Sequence, residues 1–584
     1  MKIENLASLG SASVLETDIA IVGGGPAGLT IAREFIGTST RVLVLESGLL
    51  EEAPEHAALN SLESDGEPRT AAQRQKRVAF HGQSTDTWSD TAQPYGVRCR
   101  ALGGSSHAWA GKSAAFDPVD FAQRPWVPHS SWPISRETLD SYLDRAADVL
   151  NLGPNVYDGR LWDMMGMAPP SPQFDADGLR PFFWQFARSR LDQLDIMRFG
   201  REFVTFEADN IRVLLNATVR QIRISEDGSR FEGLEIATID GVRSQVKAKV
   251  AVVAAGGIEN PRLLLASNAV HPRGIGNAHD LVGRFLMDHP SARVGYFEAR
   301  DVKPIIDRFG FYGLRHGGRT HMYSHGLALT PAVQEREGLL NSALFFMAER
   351  SPDDPWDAIK RLVKRNSTQP LHDAISAASH VGLLAKGVGM KLLASDATPG
   401  FLKDLIVNTA IRYSPNFVAK EFQSRGLPHK LMGVSIEAIT EQRPNPDSRI
   451  TLSKKCDALG VPLAKANWRI NDEERRTIVR LARLASDTFV RAGLPAPRLE
   501  PWVAEERPND AVIIDMAHMI GTTRMSDSPT SGVVDRDCQV HGVQGLYVAG
   551  SSTFPTSGHA NPTLMILSLA IRLAETIKLR LRDA

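Results

Sequence analysis

Three apolar runs along the chain each end at glycines and pass into a stretch with apolar residues at helical spacing. The first run covers residues 19–22, and the apolar positions that follow it include Leu29 and Phe35. The other two runs lead into Gly256 and Gly550. Uninterrupted apolar runs bounded by glycine are typical of buried parallel strands, so the pattern predicts three strand–turn–helix units.

The first unit has the spacing of a dinucleotide-binding site. Gly23, Gly25 and Gly28 follow the strand in G-x-G-x-x-G order. A second apolar run, residues 42–45, ends at Glu46. Such glycines allow a tight turn, close approach of the backbone to a pyrophosphate, and close packing of helix on strand. The helix start then directs its N–H groups at the phosphates, and Glu46 would accept hydrogen bonds from the ribose hydroxyls. The motif by itself does not separate NAD from FAD.

Glycine and hydroxyl clusters recur far along the chain. Residues 100–113 read RALGGSSHAWAGKS, residues 249–267 read KVAVVAAGGIENPRLLLAS, and residues 545–563 read GLYVAGSSTFPTSGHANPT. Because only the first unit has the full fingerprint, these turns favour one long ligand contacted by distant segments. A discontinuous FAD domain fits this pattern better than an NAD domain of about 150 residues followed by a substrate domain.

The middle of the chain predicts a second unit of strands and helices. GLALTPAV (326–333) and LMGVSIEAIT (431–440) alternate enough to predict strands. Between them, residues 353–421 predict helices with apolar faces and with six basic residues, Lys360, Arg361, Lys364, Arg365, Lys386 and Lys391. These helices form either a solvated cap over the substrate entrance or a docking surface for a partner subunit, an electron carrier or an anionic membrane.

Composition narrows the class of protein. The chain has 584 residues, enough for more than one folding unit, and 67 basic residues balance 67 acidic ones, which argues against a nucleic-acid binder. Its three cysteines, Cys99, Cys456 and Cys538, have no metal-ligand spacing, so we expect no metal site and no disulfide framework. The sequence has no recognisable signal peptide or membrane-spanning run, which predicts a cytoplasmic protein; export with a signal-bearing partner stays open.

The glycine clusters and four further stretches resemble the glucose–methanol–choline (GMC) oxidoreductase family. VGRFLMDHP (282–290), EQRPNPDSRITLS (441–453), HMIGTTRM (518–525) and NPTLM (561–565) occur in the family's order, and the resemblance covers almost the whole chain. The resemblance is greatest to the branch with pyranose 2-oxidase and the gluconate, fructose and glucoside dehydrogenases. It implies an α/β plus α+β fold, with a discontinuous Rossmann-like FAD-binding domain and a substrate domain built on an antiparallel sheet and helices.

The resemblance also implies domain boundaries and cofactor contacts. We place the FAD-binding domain at residues 14–130, 206–299 and 511–584, and the substrate-binding domain at residues 131–205 and 300–510, with the helical insertion 353–421. The implied FAD contacts are Gly23, Gly25, Gly28 and Glu46 at the ADP end, Gly103, Gly104, Ser105 and Trp109 in the second glycine motif, Val219 at the adenine, Gly550 and Ser551 at the ribityl chain, and Pro562 and Thr563 at the flavin pyrimidine edge.

One position departs from the pyranose 2-oxidase pattern. There, a histidine directly before the tryptophan of the second glycine motif holds the flavin covalently. Here Ala108 precedes Trp109, and His107 lies one residue earlier. A shift of one residue in an extended segment turns a side chain to the opposite side, so we expect non-covalent FAD.

His518 and Asn561 match the family's catalytic pair, a histidine beside a histidine or asparagine over the flavin. A neutral imidazole can accept the proton of an alcohol near pH 7, and an amide can hydrogen-bond the same oxygen. Asn561 could instead be only a helix cap, and His518 only a structural histidine. We regard three further residues as weaker candidates for substrate contact: His559, Glu441 and Gln442.

These observations predict FAD-dependent oxidation of a secondary alcohol, a sugar or glycoside hydroxyl, to a ketone, with His518 as the base. The electron acceptor is O₂, a quinone or a cytochrome, and a small partner subunit or an oligomer is possible. A non-sugar alcohol, benzylic or from a natural product, is the alternative substrate. From other classes, a non-catalytic flavin scaffold stays open, whereas a pyridine-nucleotide–flavin reductase would need a second full fingerprint and usually a redox-active cysteine pair.

Overall fold

The structure, a computed structural model, describes residues 1–10, 13–174, 177–191, 195–365, 367–385 and 429–582. Its first sheet is mostly parallel, with β1, β7, β3, β2 and β10 side by side, β19 also paired with β10, and β9 and β8 added antiparallel at the end. These strands are β1 (Lys2–Asn5), β2 (Val14–Val22), β3 (Val42–Leu45), β7 (Ile211–Leu215), β8 (Thr218–Ile224), β9 (Phe231–Ala237), β10 (Arg243–Val253) and β19 (Leu546–Val548).

The second sheet is antiparallel, in the order β18-β11-β15-β14-β13-β6-β5, with β12 paired with β13. Its strands are β5 (Lys112–Ser113), β6 (Leu179–Phe186), β11 (Ser291–Glu298), β12 (Phe311–His316), β13 (Arg319–Leu329), β14 (Ser342–Arg350), β15 (Leu431–Thr440) and β18 (Arg498–Leu499). A small third sheet joins β4 (Leu62–Ser64), β16 (Arg449–Cys456) and β17 (Pro462–Asn467).

The helices cover both sheets. In chain order they are α1 (Pro26–Glu34), α2 (Pro54–Ala57), α3 (Ala71–His81), α4 (Pro118–Phe121), α5 (Asp140–Val149), α6 (Arg160–Met164), α7 (Phe199–Phe203), α8 (Glu259–Ala266), α9 (Val302–Phe309), α10 (Pro331–Glu337), α11 (Pro355–Val363), α12 (Pro370–Ser379), α13 (Asp472–Arg491), α14 (Pro501–Ala504) and α15 (Thr563–Arg582).

The main core lies between the first sheet and helices α1, α5 and α15. Residues 19–22 of β2 are buried because β3 and β10 flank this strand on both edges and helices cover its faces. Leu29 of α1 and Ile571 of α15 belong to the same core. A second core joins the antiparallel sheet to the long amphipathic helix α13. The predicted mixed α/β fold is confirmed.

The local predictions hold with one difference. Strands at 42–45 and 431–440 are confirmed at the predicted residues. The stretch GLALTPAV is strand only to Leu329, because Thr330 then accepts a hydrogen bond from the Val333 N–H and caps α10, with Pro331 as its first residue. A proline at the first helical position loses no hydrogen bond, so the last part of this stretch begins a helix.

Most strands of the first sheet lie in segments predicted for the FAD-binding domain, and most strands of the antiparallel sheet lie in segments predicted for the substrate-binding domain; β5 and β11 are exceptions. β5 and β11 lie in segments predicted for the FAD-binding domain and pair with the antiparallel sheet. In the predicted insertion, α11 and α12 are helical. Lys386, Lys391 and the rest of the insertion as far as residue 421 lie outside the described residues. Among the helices that the structure describes, none is long and apolar enough to cross a bilayer.

Candidate active site

A cavity of about 1100 Å³ connects the two sheets. On one side it is lined at the carboxyl ends of β2, β3, β10 and β19, where ligands bind in open parallel sheets. On the other side it is lined by residues of β5, β6, β13 and β14 and of helix α9. The cavity therefore has a dinucleotide end and a substrate end.

The first glycine turn lines the dinucleotide end. Gly25 is the N-cap of α1, Pro26 is its first residue, and both face the cavity together with Gly23. Gly28 does not line the cavity; a Cβ there would lie 2.1 Å from the Gly23 carbonyl oxygen, so this glycine lets the helix pack on the turn. Glu46 lines the cavity, and its carboxylate accepts hydrogen bonds from the N–H groups of Gly24 (2.9 Å) and Gly48 (2.7 Å). Each oxygen keeps a second lone pair for a ribose hydroxyl.

The second glycine motif packs directly against the first. Gly103 donates its N–H to the Gly24 carbonyl at 2.7 Å and has a φ of 106°. A Cβ on Gly104 would lie 2.9 Å from the Gly25 Cα, so two glycine backbones meet here without side chains. Gly104, Ser105 and Trp109 line the cavity, and the Trp109 indole donates to the Met197 carbonyl at 2.7 Å.

Two more glycines leave space beside the cavity. Gly256 and Gly550 both line it with left-handed φ values of 91° and 108°, and a Cβ built on either would have no protein atom within 4 Å. Val219 lines the cavity from β8, and Ser551, Pro562 and Thr563 line it between β19 and α15. These positions come from three distant segments, and the shape of the cavity that they line fits a long dinucleotide such as FAD.

His518 and Asn561 meet inside this cavity. The Asn561 Nδ2 lies 3.3 Å from the His518 Nε2, and both residues line the cavity wall. The Asn561 Oδ1 is buried and has no hydrogen-bond partner among the described residues. No cap hydrogen bond from its side chain is found in the described part of the chain, so the amide faces the histidine and the cavity.

A second histidine determines which nitrogen of His518 carries the proton. The His289 Nε2 lies 3.0 Å from the Ser557 carbonyl oxygen, which only accepts, so this nitrogen donates. In the neutral ring the His289 Nδ1 is then an acceptor, and the His518 Nδ1, at 2.8 Å, must donate to it. The lone pair of His518 is therefore on Nε2, the nitrogen beside Asn561. The Ser557 carbonyl thus fixes the proton of His289, and His289 in turn leaves the lone pair of His518 facing the cavity.

Asp288 holds the backbone around His518. Its carboxylate accepts hydrogen bonds from the N–H groups of Met516 (3.0 Å), His518 (3.0 Å) and His289 (2.7 Å) and from the Tyr95 hydroxyl (3.1 Å). Between the first two lies Ala517, which has a φ of 60°. Because this left-handed conformation is strained for alanine, the carboxylate stabilises a turn that the chain would not adopt alone.

The environment keeps both histidines neutral. Burial lowers the pKa of His518 well below that of a free imidazole, and the nearby His289 and Lys112 lower it further. Burial also lowers the pKa of His289 to about 4. Burial and the charge of Asp515 raise the pKa of Asp288 to about 7. At neutral pH the His518 lone pair is thus available to accept a proton.

The three weaker candidates lie behind the cavity wall. His559 is buried, its ring contacts Phe182 edge-on at 4.5 Å, and its Nδ1 is 4.0 Å from the Asp117 carboxylate. Glu441 is ion-paired with the Arg124 guanidinium. The Gln442 Oε1 accepts hydrogen bonds from the Asp288 N–H and the Trp468 indole. None of these three residues is among the described residues that line the cavity. Their side chains contact other residues of the protein instead.

His107 also points away from the cavity. Its Nε2 donates to the Leu102 carbonyl at 3.0 Å, and its Nδ1 lies 3.7 Å from a Glu51 carboxylate oxygen. Ala108 and Trp109 line the cavity in its place.

His289, Asp288 and Lys112 are functional candidates that the sequence did not single out. Asp288 and His289 belong to MDHP, within a stretch that resembles the family, and Lys112 directly follows the second glycine motif.

Comparisons with known proteins agree with this architecture. The GMC oxidoreductase N- and C-terminal family models match residues 203–291 and 444–570. The chain is 24% identical to 2-methyl-1,2-propanediol dehydrogenase of Mycolicibacterium austroafricanum (97% of this chain, 96% of that protein) and 23% identical to the fructose dehydrogenase large subunit of Gluconobacter japonicus (97% and 98%).

One more relative and one solved structure also match over almost their whole length. The chain is 23% identical to C-glycoside 3-oxidase of Microbacterium trichothecenolyticum, over 96% of each protein. A formate oxidase of Aspergillus oryzae RIB40, studied for its FAD modification, superposes with a TM-score of 0.54 at 18% identity, over 97% of this chain and 99% of that one, which shows the fold. With these matches and a cavity that joins a dinucleotide cradle to a paired histidine and asparagine, the chain carries the GMC oxidoreductase N- and C-terminal domains at residues 203–291 and 444–570.

Proposed function

We propose that this protein oxidises a secondary hydroxyl of a sugar or glycoside to a ketone, with FAD as the redox cofactor and His518 as the base. The observation that carries the proposal is the His518 Nε2 lone pair beside the Asn561 amide, at the junction of the dinucleotide end and the substrate end of one cavity. The hydrogen bond from His518 to His289 supports the base role, because it leaves the His518 Nε2 without a proton.

The reaction removes a proton and a hydride from the same alcohol. The glycine turns and Glu46 would hold FAD, which would supply the hydride acceptor. His518 takes the hydroxyl proton at Nε2 while its Nδ1–H stays hydrogen-bonded to His289. The Asn561 amide donates to the substrate oxygen and supports the negative charge that develops on it. Because burial disfavours the imidazolium, the proton must be passed on or released when the product leaves.

The substrate class rests on the relatives. Two of them are named for fructose and for C-glycosides, which supports a sugar or glycoside. A non-sugar alcohol is the second candidate, because one full-length relative is named for 2-methyl-1,2-propanediol. We also propose that FAD is bound without a covalent link, since the nearest histidine of the motif, His107, is hydrogen-bonded away from the cavity. The proposed electron acceptor is O₂, a quinone or a cytochrome, and a partner subunit is an open possibility.

Anaerobic flavin reduction tests the proposal. The purified protein is mixed with sugars, glycosides, aliphatic diols and aryl alcohols, and loss of the visible flavin absorbance is followed before air is admitted. We expect bleaching by at least one sugar or glycoside, and a His518→Ala variant that keeps FAD but reduces it about 10² to 10⁴ times more slowly. The control variant is His316→Ala, on the exposed end of β12.

Each other outcome selects another function. Bleaching by diols or aryl alcohols alone favours the non-sugar substrate. Bleaching by NADH and by no alcohol indicates a reductase, and no bleaching by any donor indicates a flavin scaffold. Near-normal reduction in His518→Ala removes this residue from the mechanism.

A further inference from the structure

Lys112 places its side-chain amino group at the substrate end of the cavity without an acidic partner. It lies on β5, pairs through its backbone with Phe186, and lines the cavity together with His518 and Asn561. Its Nζ lies 4.0 Å from the ring centroids of both Trp184 and Phe345. In the described part of the chain, no hydrogen bond and no carboxylate within 4.0 Å reaches this ammonium group.

Lys112 is half-buried, and holding an ammonium group away from water is costly when nothing neutralises it. The two rings compensate it only in part, because a cation–π contact is weaker than an ion pair. Burial alone lowers the pKa of Lys112 to about 7, which shows that no carboxylate offsets the desolvation. A titratable group with a strongly perturbed pKa in a cavity is a candidate for a functional site, and an amine without a carboxylate partner can pair with an anionic ligand.

The other charged residues at the substrate end leave an excess of positive charge. Besides Lys112, the second sheet and α9 contribute Lys303, Asp307 and Arg350 to the cavity lining. Lys303 is paired with Asp307 at 2.6 Å. Arg350 is exposed at the end of β14 and, within the described residues, forms no ion pair. An uncompensated positive charge at the end of β14 and another deeper inside attract anions toward the base.

We propose that Lys112 determines substrate specificity and that the substrate carries a carboxylate, which pairs with Lys112 while its hydroxyl lies at His518. The substrate class is therefore a hydroxy acid, such as a sugar acid. This inference rests on the proposed function. Lys112 is flanked by aromatic rings of the substrate sheet and not by the glycine turns, so its ion-pair partner is the substrate rather than the cofactor phosphates.

Matched substrate pairs test the inference. D-Glucose is compared with D-glucuronate, and D-glucitol with D-gluconate, in the wild type and in Lys112→Met, Lys112→Arg and the control Lys455→Met, a surface lysine paired with Glu63. We expect the wild type to prefer the acid of each pair. Relative to its neutral partner, the acid should lose about 10- to 100-fold in kcat/KM in Lys112→Met, the effect of one charge-assisted hydrogen bond. Lys112→Arg should keep most of the preference.

A binding measurement separates this inference from the proposed function. Acetate and acetamide, which carry no hydroxyl to oxidise, are titrated into the holoprotein and followed by the flavin spectrum. Lys112→Met should weaken acetate about 10-fold or more and leave acetamide unchanged, whether or not any sugar is oxidised. The inference is overturned if the wild type binds both equally, if it prefers the neutral sugars, or if Lys112→Met slows both members of each pair alike. The last result would place Lys112 at the flavin instead.

Discussion

Replacing His289 tests whether a residue outside the reacting atoms determines the state of the base. In His289→Leu the ring is replaced by an apolar side chain, so the His518 Nδ1 loses its acceptor at 2.8 Å. In His289→Asn the amide oxygen occupies the position of Nδ1 and can still accept. The two variants differ in whether His518 keeps a hydrogen-bond partner on the side away from the cavity.

The expected magnitude follows from the burial of this hydrogen bond. His289 is fully buried, and a buried donor left without an acceptor costs about 1–3 kcal/mol. With no acceptor at Nδ1, His518 is free to place its proton on Nε2, where it can no longer act as a base. We therefore expect flavin reduction to slow about 5- to 150-fold in His289→Leu and much less in His289→Asn.

Rapid-mixing measurements of anaerobic flavin reduction, with the best substrate of the panel, give the rates. The FAD content and Tm of each variant serve as controls for folding. If His289→Leu reduces its flavin as fast as the wild type, or if both variants lose the same factor with FAD intact, the tautomer argument is wrong and His289 has only a packing role.

Three further predictions concern the cofactor cradle, the base and its support. Gly256→Ala should weaken FAD binding, whereas Gly241→Ala, also at positive φ but outside the cavity, should leave FAD affinity unchanged in an equilibrium titration. Because the pKa of His518 lies well below 6.5, protonation of His518 should not lower kcat/KM for a neutral alcohol between pH 7 and about pH 6. Any fall in this range should come from Asp288, whose pKa is about 7, and should be absent in Asp288→Asn; a fall that persists in that variant would contradict this. Asp288→Asn replaces an acceptor of several N–H groups by an amide that brings its own donors, so Tm and the flavin-reduction rate should both fall, while unchanged values would mean that the turn at Ala517 holds itself.

Patterns of short range were readable from the sequence. The strand at 42–45, the turn at Gly23 and the helix after it depend on neighbouring residues, since apolar runs, glycine conformation and helix starts are local properties. The family resemblance predicts that the second glycine motif contacts the cofactor, and the structure adds that its backbone meets the first turn at Gly104. GLALTPAV was misjudged in part because Thr330 and Pro331 begin a helix within an alternating stretch.

The active-site network depends on contacts between distant segments. His518 meets Asn561 across 43 residues and His289 across 229, and no local pattern indicates which nitrogen of a histidine will face a carbonyl. The sequence likewise does not indicate that Glu441, a predicted substrate contact, forms an ion pair with Arg124. Lys112 directly follows the second glycine motif in the sequence, but the absence of a nearby carboxylate depends on which residues the fold brings to the cavity.

The sequence by itself predicted the cofactor cradle and the resemblance to the GMC oxidoreductases, because these depend on glycines and apolar runs in a fixed local order. The tertiary structure alone decided the proton position on His518, the restraint by Asp288 and the unpaired charge of Lys112. The physical reason is that hydrogen bonds and desolvation depend on the atoms that packing brings within a few ångströms, and packing joins segments hundreds of residues apart.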